Sequence, residues 1–323
     1  MTIQQLRYIV ALDEHRHFAR AAEECNVTQP GLTIQLKNLE EEIGIKVFDR
    51  AKVPLKPTLA GFEIIERAKK LLREADSIRD YVVHKKNDLT GKVTIGVIST
   101  LSPYLMPVFI KKIKDVVPDV AFTIVEAGTV HLMHYLETGA IDIALMATPT
   151  SNPGLNEYPV FQEPFVACLP EGHSMANTPF YELNENDKPD LLLLQNEYCF
   201  NAQLLDICSL GEPGLQSGNV KYEINSIETL KNLVKAGMGF AILPQLSAQN
   251  KDEGIYKPFK DTIPVREISL VVADTFSRKL LLEKISETLW LCLPESLKQQ
   301  KQYKKIRWND SPYFIKALEQ YKG

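Results

Sequence analysis

Apolar residues recur at helical spacing through the first fifty residues, and a short polar break divides them into two segments. After the break, spacings of three and four residues predict a helix with one buried stripe, formed by Leu32, Leu36, Leu39 and Ile43. Before it, Ala19 and Ala22 are small enough to let a second helix pack closely. The break, Cys25–Val27, is long enough only for a turn, and Asn26 tolerates the left-handed conformation that ends a helix. The pattern therefore predicts two short helices joined by a tight turn.

Residue types at the helix ends agree with this division. Thr28 offers a hydroxyl cap, and Pro30 suits the first helical turn, where its missing N–H costs nothing. At the start of the chain, Thr2 and Gln5 have the spacing of a capping box. The first residues therefore open a structural helix and do not have the pattern of a targeting segment.

Polar residues occupy the face of the second helix that lies away from the buried stripe. Gln29, Thr33 and Lys37 lie at or near its start. In a helix-turn-helix, the second helix presents its N-terminal residues to base edges in the major groove. Gln suits adenine, and Lys suits guanine or a phosphate. Periodicity alone fits an ordinary helical hairpin with a solvated polar face equally well.

A longer amphipathic segment follows, from Thr58 to about Asn87. Its apolar residues are spaced by three and four and form a coiled-coil-like seam: Ile65, Ala68, Leu72, Ala75, Ile78 and Val82. A helix of about thirty residues with one apolar stripe favours packing on a partner helix. The alternative is that the seam packs on its own domain.

From Lys92 the pattern changes to alternating strands and helices, which indicates an α/β sheet with parallel strands. The predicted strands are Lys92–Ser99, Val120–Glu126, Ile141–Ala147, Val166–Leu169, Leu191–Leu194, Lys221–Ile224, Phe240–Leu243 and Ile268–Ala273. The predicted helices are Leu105–Val117, Val130–Glu137, Ser226–Lys235 and Lys279–Leu291. Because ligands bind at the carboxyl ends of such strands, a site is expected there, with Ser99, Thr100 and Thr129 as hydroxyl donors.

Length and composition place the chain among soluble, multidomain proteins. Its 323 residues predict two or three domains, and no apolar run approaches the length of a membrane span, so a cytoplasmic protein without a membrane partner is expected. The five cysteines have no CxxC or Cys/His metal spacing, so neither metal nor cofactor is expected. The sequence also lacks the nucleophile-elbow, zinc-protease, P-loop and dinucleotide motifs, which argues against an enzyme.

A net charge of −4 argues weakly against a DNA-binding protein. Phosphate binding, however, needs a basic surface and not a basic chain. Around the predicted second helix and the residues after it, that surface would come from Lys37, Lys46, Arg50, Lys52 and Lys56. We expect Arg50 to hold a phosphate; a solvated charged face is the alternative.

Residues 11–50 resemble the DNA-binding segment of LysR-type transcriptional regulators. The matching elements are an alanine pair before the turn, Thr28-Gln29-Pro30, Leu39-Glu40 and Val47-Phe48-Asp49-Arg50. The resemblance implies a winged helix-turn-helix over residues 1–57 that binds double-stranded DNA. It also implies a linker and hinge over residues 58–90, whose helix builds a dimer. A homotetramer and RNA polymerase as a further partner are implied as well.

The same resemblance implies a two-lobed, periplasmic-binding-protein-like α/β regulatory domain. Its first lobe would comprise residues 91–162 and 267–297, and its second lobe residues 163–266. Residues 298–323 exceed the usual family length and are rich in basic and aromatic residues. They are interpreted as a helix on a neighbouring subunit, a basic tail that contacts nucleic acid, or a partly ordered tail with a short helix.

Within the family, the chain resembles the peroxide-sensing OxyR activators. The matches are Glu14–Phe18, Thr100–Pro107, Glu126–Thr129, Asp142–Leu145, Glu163–Phe165, and Leu191–Leu194 leading to Cys199 and Cys208. The resemblance implies that hydrogen peroxide oxidises Cys199, which then forms a disulfide with Cys208, in a pocket of Ser99, Thr100, Thr129 and Arg266. If the segment between the cysteines is helical, Phe200–Ile207 must refold, because the Cα atoms would exceed the disulfide limit of about 7 Å.

Two positions depart from that branch. It commonly has His before the first cysteine and Arg two residues after it, where this chain has Tyr198 and Asn201. Arg stabilises a thiolate and Asn does not, so a more distant group such as Arg266 would have to help. The alternative is a regulator that binds a small organic effector between the lobes, with structural cysteines.

Overall fold

The computed structural model describes residues 1–52, 54–84, 88–182, 190–194, 216–217, 220–221, 224, 226–250, 254–260, 263–298 and 303–305. These divide into two compact units. The N-terminal unit comprises Met1–Asn87, and the C-terminal unit comprises most of the chain from Asp88 onward. None of the helices in the described ranges is long and apolar enough to span a bilayer.

The N-terminal unit is a winged helix-turn-helix followed by a long helix. Its elements are α1 (Ile3–His15), α2 (Phe18–Glu24), α3 (Gln29–Ile43), β1 (Phe48–Asp49), β2 (Lys56–Pro57) and α4 (Leu59–His84). The two short strands pair antiparallel and form the wing. The predicted start signals are confirmed: Thr2 and Gln5 make a capping box, and the Thr28 hydroxyl accepts a hydrogen bond from the Gly31 N–H. Asn26 takes a positive φ of 54° in the turn between α2 and α3.

The first turns of α4 belong to the core of the N-terminal unit. Ile65, Ala68 and Leu72 are buried with the apolar faces of the first three helices. At Gly61 a Cβ would lie 1.9 Å from the Val47 carbonyl oxygen, so this helix start and the chain before the wing are in direct contact. The prediction that these three residues form a dimer seam is therefore wrong, because the stripe is used within the unit.

Farther along α4, apolar residues face away from that core. Leu71 is 43% exposed and Ile78 is 64% exposed. Ala75 is half-buried, whereas the Val82 side chain lies outside the described residues. Because Leu71 and Ile78 are seven residues apart, they lie on one side of the helix.

The C-terminal unit is built on one large mixed sheet with helices on its faces. Its strands are β3 (Gly91–Ile98), β4 (Val120–Ala127), β5 (Ile143–Thr148), β6 (Leu155–Leu169), β7 (Gln216–Ser217), β8 (Val220–Lys221), β9 (Ala241–Pro244), β10 (Ile255–Pro258), β11 (Ile263–Ala273) and β12 (Tyr303–Lys305). Its helices are α5 (Ser102–Val116), α6 (Thr129–Thr138), α7 (Ile227–Lys235), α8 (Lys279–Cys292) and α9 (Glu295–Lys298). The order in the sheet is β10-β6-β11-β5-β3-β4, with β9 on β6 and β12 on β11.

Two long strands join two lobes. From Leu155 to Pro164 β6 pairs antiparallel with β11, and along its last residues it pairs with β9 and β10. Lobe 1 has its own core around β3, β5, α5 and α8, and lobe 2 has a separate core around β9, α7 and the end of β6. In this register Arg266 lies opposite Glu163, close to the lobe boundaries that the sequence suggested.

Several element predictions change in this arrangement. Val166–Leu169 is the end of β6 and not a new strand, and β11 begins at Ile263, five residues before its predicted start. Helix α5 starts at Ser102, three residues earlier than predicted, with Pro103 in its first turn. Lys221 belongs to a two-residue strand that pairs with Gln216–Ser217 outside the large sheet. In the C-terminal extension, Tyr303–Lys305 forms a strand parallel to the start of β11, an element that none of the three interpretations of this segment included.

Candidate functional site

Helix α3 presents its polar N-terminal residues to solvent. Thr28, Gln29 and Pro30 are exposed at its start. The Thr33 hydroxyl donates to the Gln29 carbonyl oxygen at 2.9 Å, and Lys37 pairs with Glu41 at 3.5 Å while staying largely exposed. The predicted residues therefore share one accessible surface, and the Thr33 hydroxyl is oriented by its hydrogen bond within the helix.

Ile34 is an apolar residue on that surface that the sequence interpretation missed. It is 57% exposed. The helical spacing could have predicted its exposure, because a position midway between Leu32 and Leu36 lies on the side of the helix opposite the buried stripe.

A buried carboxylate ties α3 to the wing. Glu40 is buried, and one of its oxygens accepts the N–H groups of Val47 at 2.8 Å and Phe48 at 3.3 Å. The other accepts Lys46 at 3.2 Å and Arg50 at 3.1 Å. Two of the matching sequence elements, Leu39-Glu40 and Val47-Phe48-Asp49-Arg50, are thus in direct contact through the Glu40 side chain. Arg50 was predicted to hold a phosphate, but part of its charge is already compensated by Glu40.

The basic surface around the wing is weaker than the sequence suggested. Lys52 lies 3.8 Å from Asp49, and Lys37 and Lys46 also have carboxylate partners. Lys56 is exposed in β2. These lysines remain mostly solvent-exposed, so their ion pairs are weak and exchangeable with phosphate contacts.

In the C-terminal unit, the predicted pocket residues follow the carboxyl ends of neighbouring strands. Parallel pairing sets Ile98 of β3 against Ala127 of β4, so Ser99 and Thr100 leave the sheet at the same edge as Thr129. Thr100 and Thr129 are buried and Ser99 is half-buried. Thr129 is the first residue of α6, where helix N–H groups favour negative charge.

Arg266 joins this edge through a buried network. It is 1% exposed and donates to Glu163 through Nε at 3.0 Å and through a terminal nitrogen at 2.8 Å. Its other terminal nitrogen donates to the Thr100 hydroxyl at 2.8 Å. The second oxygen of Glu163 accepts the Leu246 N–H at 2.9 Å. The structure therefore brings Thr100 and Arg266 together, and it adds Glu163, which the sequence interpretation had not placed in the site.

A second polar contact links the lobes beside this network. The Tyr104 hydroxyl, on α5 of lobe 1, donates to Glu228 of α7 at 2.7 Å. Both oxygens of Glu228 also accept from the buried Lys231 amine, at 3.0 and 3.2 Å. Tyr104 falls within the Thr100–Pro107 match, but nothing in the sequence indicated its partner.

Cys199 and Cys208 lie outside the described residues, as do Tyr198 and Asn201. Cys25, Cys168 and Cys292 are free thiols. Burial raises the pKa of Cys168 to about 12, and burial also raises the pKa of Cys25 and of Cys292. A thiol with a raised pKa carries little thiolate at neutral pH, so these three are poor nucleophiles.

In the described ranges, no group of His, Cys, Asp and Glu side chains is arranged to hold a metal ion.

Two family models match the chain in succession. Residues 3–62 match the bacterial regulatory helix-turn-helix protein model of the lysR family. Residues 86–289 match the LysR substrate binding domain. Together they cover both units of the structure.

Curated relatives align over most of the chain. A hydrogen peroxide-inducible genes activator from Haemophilus influenzae is 34% identical over 274 residues, which are 84% of this chain and 90% of the relative. The DNA-binding transcriptional dual regulator OxyR of Escherichia coli is 31% identical over 292 residues, or 90% of this chain and 95% of the relative.

Solved structures agree with the sequence matches. Full-length OxyR from Pseudomonas aeruginosa with a cysteine-to-aspartate substitution has a TM-score of 0.74 and 32% identity, covering 91% of this chain and 99% of that one. A hydrogen peroxide-bound OxyR from Corynebacterium glutamicum with a cysteine-to-serine substitution has a TM-score of 0.60 and 30% identity, covering 92% and 94%. The chain therefore belongs to the LysR family of bacterial helix-turn-helix regulators, which are DNA-binding proteins and not enzymes, and it resembles the OxyR branch of that family.

Proposed function

We propose that this protein is a transcription regulator that responds to hydrogen peroxide by oxidation of Cys199 and formation of a Cys199–Cys208 disulfide. Relatives named as activators of hydrogen peroxide-inducible genes align over most of the chain, and one similar structure contains the oxidant. The observation that carries the proposal is the buried Thr100–Arg266–Glu163 network, because its chemistry suits a neutral, hydroxylic ligand.

The network favours peroxide over an organic anion. Among the four predicted pocket residues, Arg266 carries the cationic group, and its charge is already paired with Glu163. An organic anion at this position would compete with a buried carboxylate. The Thr100 hydroxyl accepts from Arg266 and so keeps its own hydrogen to donate. Peroxide needs donors and acceptors but no counter-charge.

The sensing reaction uses one peroxide for two thiols. The Cys199 thiolate attacks one peroxide oxygen, the O–O bond breaks, and a sulfenic acid forms with release of hydroxide. The Cys208 thiolate then attacks the sulfenic sulfur, forms the S–S bond and expels a second hydroxide. With the two thiol protons, the products are a disulfide and two waters, so a single oxidation is a signal and not a catalytic cycle.

We expect about one equivalent of hydrogen peroxide to convert Cys199 and Cys208 of the reduced full-length protein to a disulfide within seconds. Peptide mass spectrometry after thiol alkylation measures this directly. Cys25, Cys168 and Cys292 serve as internal controls, because their raised pKa values predict that they stay reduced.

A matched pair of variants assigns the two roles. Cys199→Ser is expected to abolish oxidation, whereas Cys208→Ser is expected to leave a sulfenic acid on Cys199 that dimedone traps. Both thiols remaining free after minutes would refute peroxide sensing and leave a LysR-type regulator with another effector.

For DNA recognition, we propose that α3 enters the major groove. Gln29, Thr33 and Lys37 would approach base edges or phosphates, with Thr28 and Pro30 fixing the helix start. Arg50 would steady the wing through Glu40 and add a phosphate contact with the exposed part of its guanidinium. We propose RNA polymerase as a further partner.

We also propose that α4 pairs with α4 of a second copy through the outward-facing side of Leu71 and Ile78. Ile78→Glu is expected to weaken this association by at least about 100-fold, because each dimer loses two buried isoleucines and gains two like charges at the seam. Sedimentation velocity should then show a particle of half the mass.

Leu59→Glu is the matched control for this experiment. Leu59 is on the same helix and almost fully exposed, but it lies on a different side from Leu71 and Ile78. An Ile78→Glu protein of unchanged mass, with the Leu59 variant also unchanged, would assign the oligomer to another surface.

A further inference from the structure

The exposed surface of α3 that is proposed to contact DNA contains an aliphatic side chain. A polar side chain that can hydrogen-bond to base edges would be expected there. Ile34 is 57% exposed. Leu32, Leu36 and Leu39 are buried, and at 3.6 residues per turn Ile34 lies opposite the stripe that they form. It therefore points away from the core of the N-terminal unit, toward whatever this helix binds.

Two polar side chains near Ile34 already have partners within the helix, whereas Ile34 presents only apolar atoms. Thr33 donates its hydroxyl to the Gln29 carbonyl, and Lys37 is paired with Glu41. Isoleucine is β-branched, and in a helix it keeps one strongly preferred χ1 rotamer. Its methyl groups are thus held in place before binding, and little side-chain entropy is lost when they contact a partner.

We propose that Ile34 determines part of the DNA sequence preference by contacting the 5-methyl group of a thymine in the major groove. Thymine presents a methyl group there, and apolar side chains are its natural contacts. The inference rests on the proposed entry of α3 into the groove and assigns one base to one side chain. Removal of one such methyl from an apolar contact is expected to cost about fourfold in affinity.

Uracil substitution tests the contact, because uracil pairs as thymine does but lacks the 5-methyl group. A duplex is first selected from a random library with the purified full-length protein. Each thymine of the selected duplex is then replaced singly by uracil, and affinity is measured for the unchanged protein and for Ile34→Ala. We expect one thymine per half-site at which uracil weakens the unchanged protein about fourfold and leaves Ile34→Ala unaffected.

Ile3→Ala is the control for general effects of shortening an exposed isoleucine, because Ile3 is half-exposed at the start of α1. It is expected to show the same uracil sensitivity as the unchanged protein. Equal sensitivity in Ile34→Ala would overturn the thymine contact while leaving DNA reading by α3 intact. A protein that enriches no sequence from the library would overturn both, and this result is distinct from the first.

Discussion

Replacing Arg266 with methionine is expected to lower the free energy of unfolding of the C-terminal unit by about 3–5 kcal/mol, because it leaves a buried charge without its partner. Glu163 is fully buried and has two contacts with Arg266 at 2.8 and 3.0 Å. After the substitution, the Leu246 N–H remains on one carboxylate oxygen. One neutral donor does not compensate a carboxylate in a buried site.

Thermal and urea unfolding of the full-length protein measure this effect, and a double variant supplies the control. Arg266→Met combined with Glu163→Leu removes both charges and is expected to recover much of the lost stability, since apolar replacements of buried ion pairs are often neutral or better. A single variant that unfolds like the unchanged protein would mean that water already compensates Glu163.

The contact between Arg266 and Glu163 could not be predicted from the sequence. Arg266 and Glu163 are about one hundred residues apart, and they meet because two crossover strands pair in one particular register. The Glu163–Phe165 motif was visible in the sequence, and Arg266 was a candidate for the pocket. Their contact depends on strand pairing between distant segments, which neither local propensity nor periodicity determines.

The full length of β6 was not predicted from the sequence, because the strand contains two prolines. Pro159 and Pro164 interrupt the hydrophobic pattern, so the sequence predicted only Val166–Leu169 as a strand. In the structure the strand runs through both prolines. The neighbours Ile268 and Ser269 of β11 pair with Phe161 and Pro159, so Val160 of β6 is left out of the pairing. This bulge on β6 lies next to Pro159, which is the kind of place where a sheet tolerates proline.

The helix-turn-helix was predictable because its signals are local. Thr28 caps α3, Asn26 adopts the left-handed turn conformation, and the leucine stripe is buried as its spacing requires. By contrast, α4 has apolar residues on more than one side. Periodicity could not decide whether Ile65 or Ile78 faces a partner, because that choice depends on how the N-terminal unit folds around the helix start.

Glu40→Leu is expected to have the second large effect, lowering the free energy of unfolding of the N-terminal unit by about 2–5 kcal/mol, because two buried N–H groups lose their acceptor. The substitution leaves the N–H groups of Val47 and Phe48 without the acceptor they now share, and it frees Lys46 and Arg50 from their carboxylate partner. Because these contacts fix the chain between α3 and the wing, DNA affinity should fall along with stability.

Two further substitutions separate the hydrogen bonds of Glu40 from its charge. Glu40→Gln keeps an acceptor for the N–H groups of Val47 and Phe48 but loses the charge that attracts Arg50, so an intermediate loss of stability is expected. Glu41→Gln changes the neighbouring residue, which is exposed and pairs with Lys37, and should alter stability by less than about 0.5 kcal/mol. If Glu40→Leu were as stable as Glu41→Gln, the wing would be held by its apolar contacts. The presence of Glu40 and Arg50 at these positions would then have to be explained by contacts with DNA.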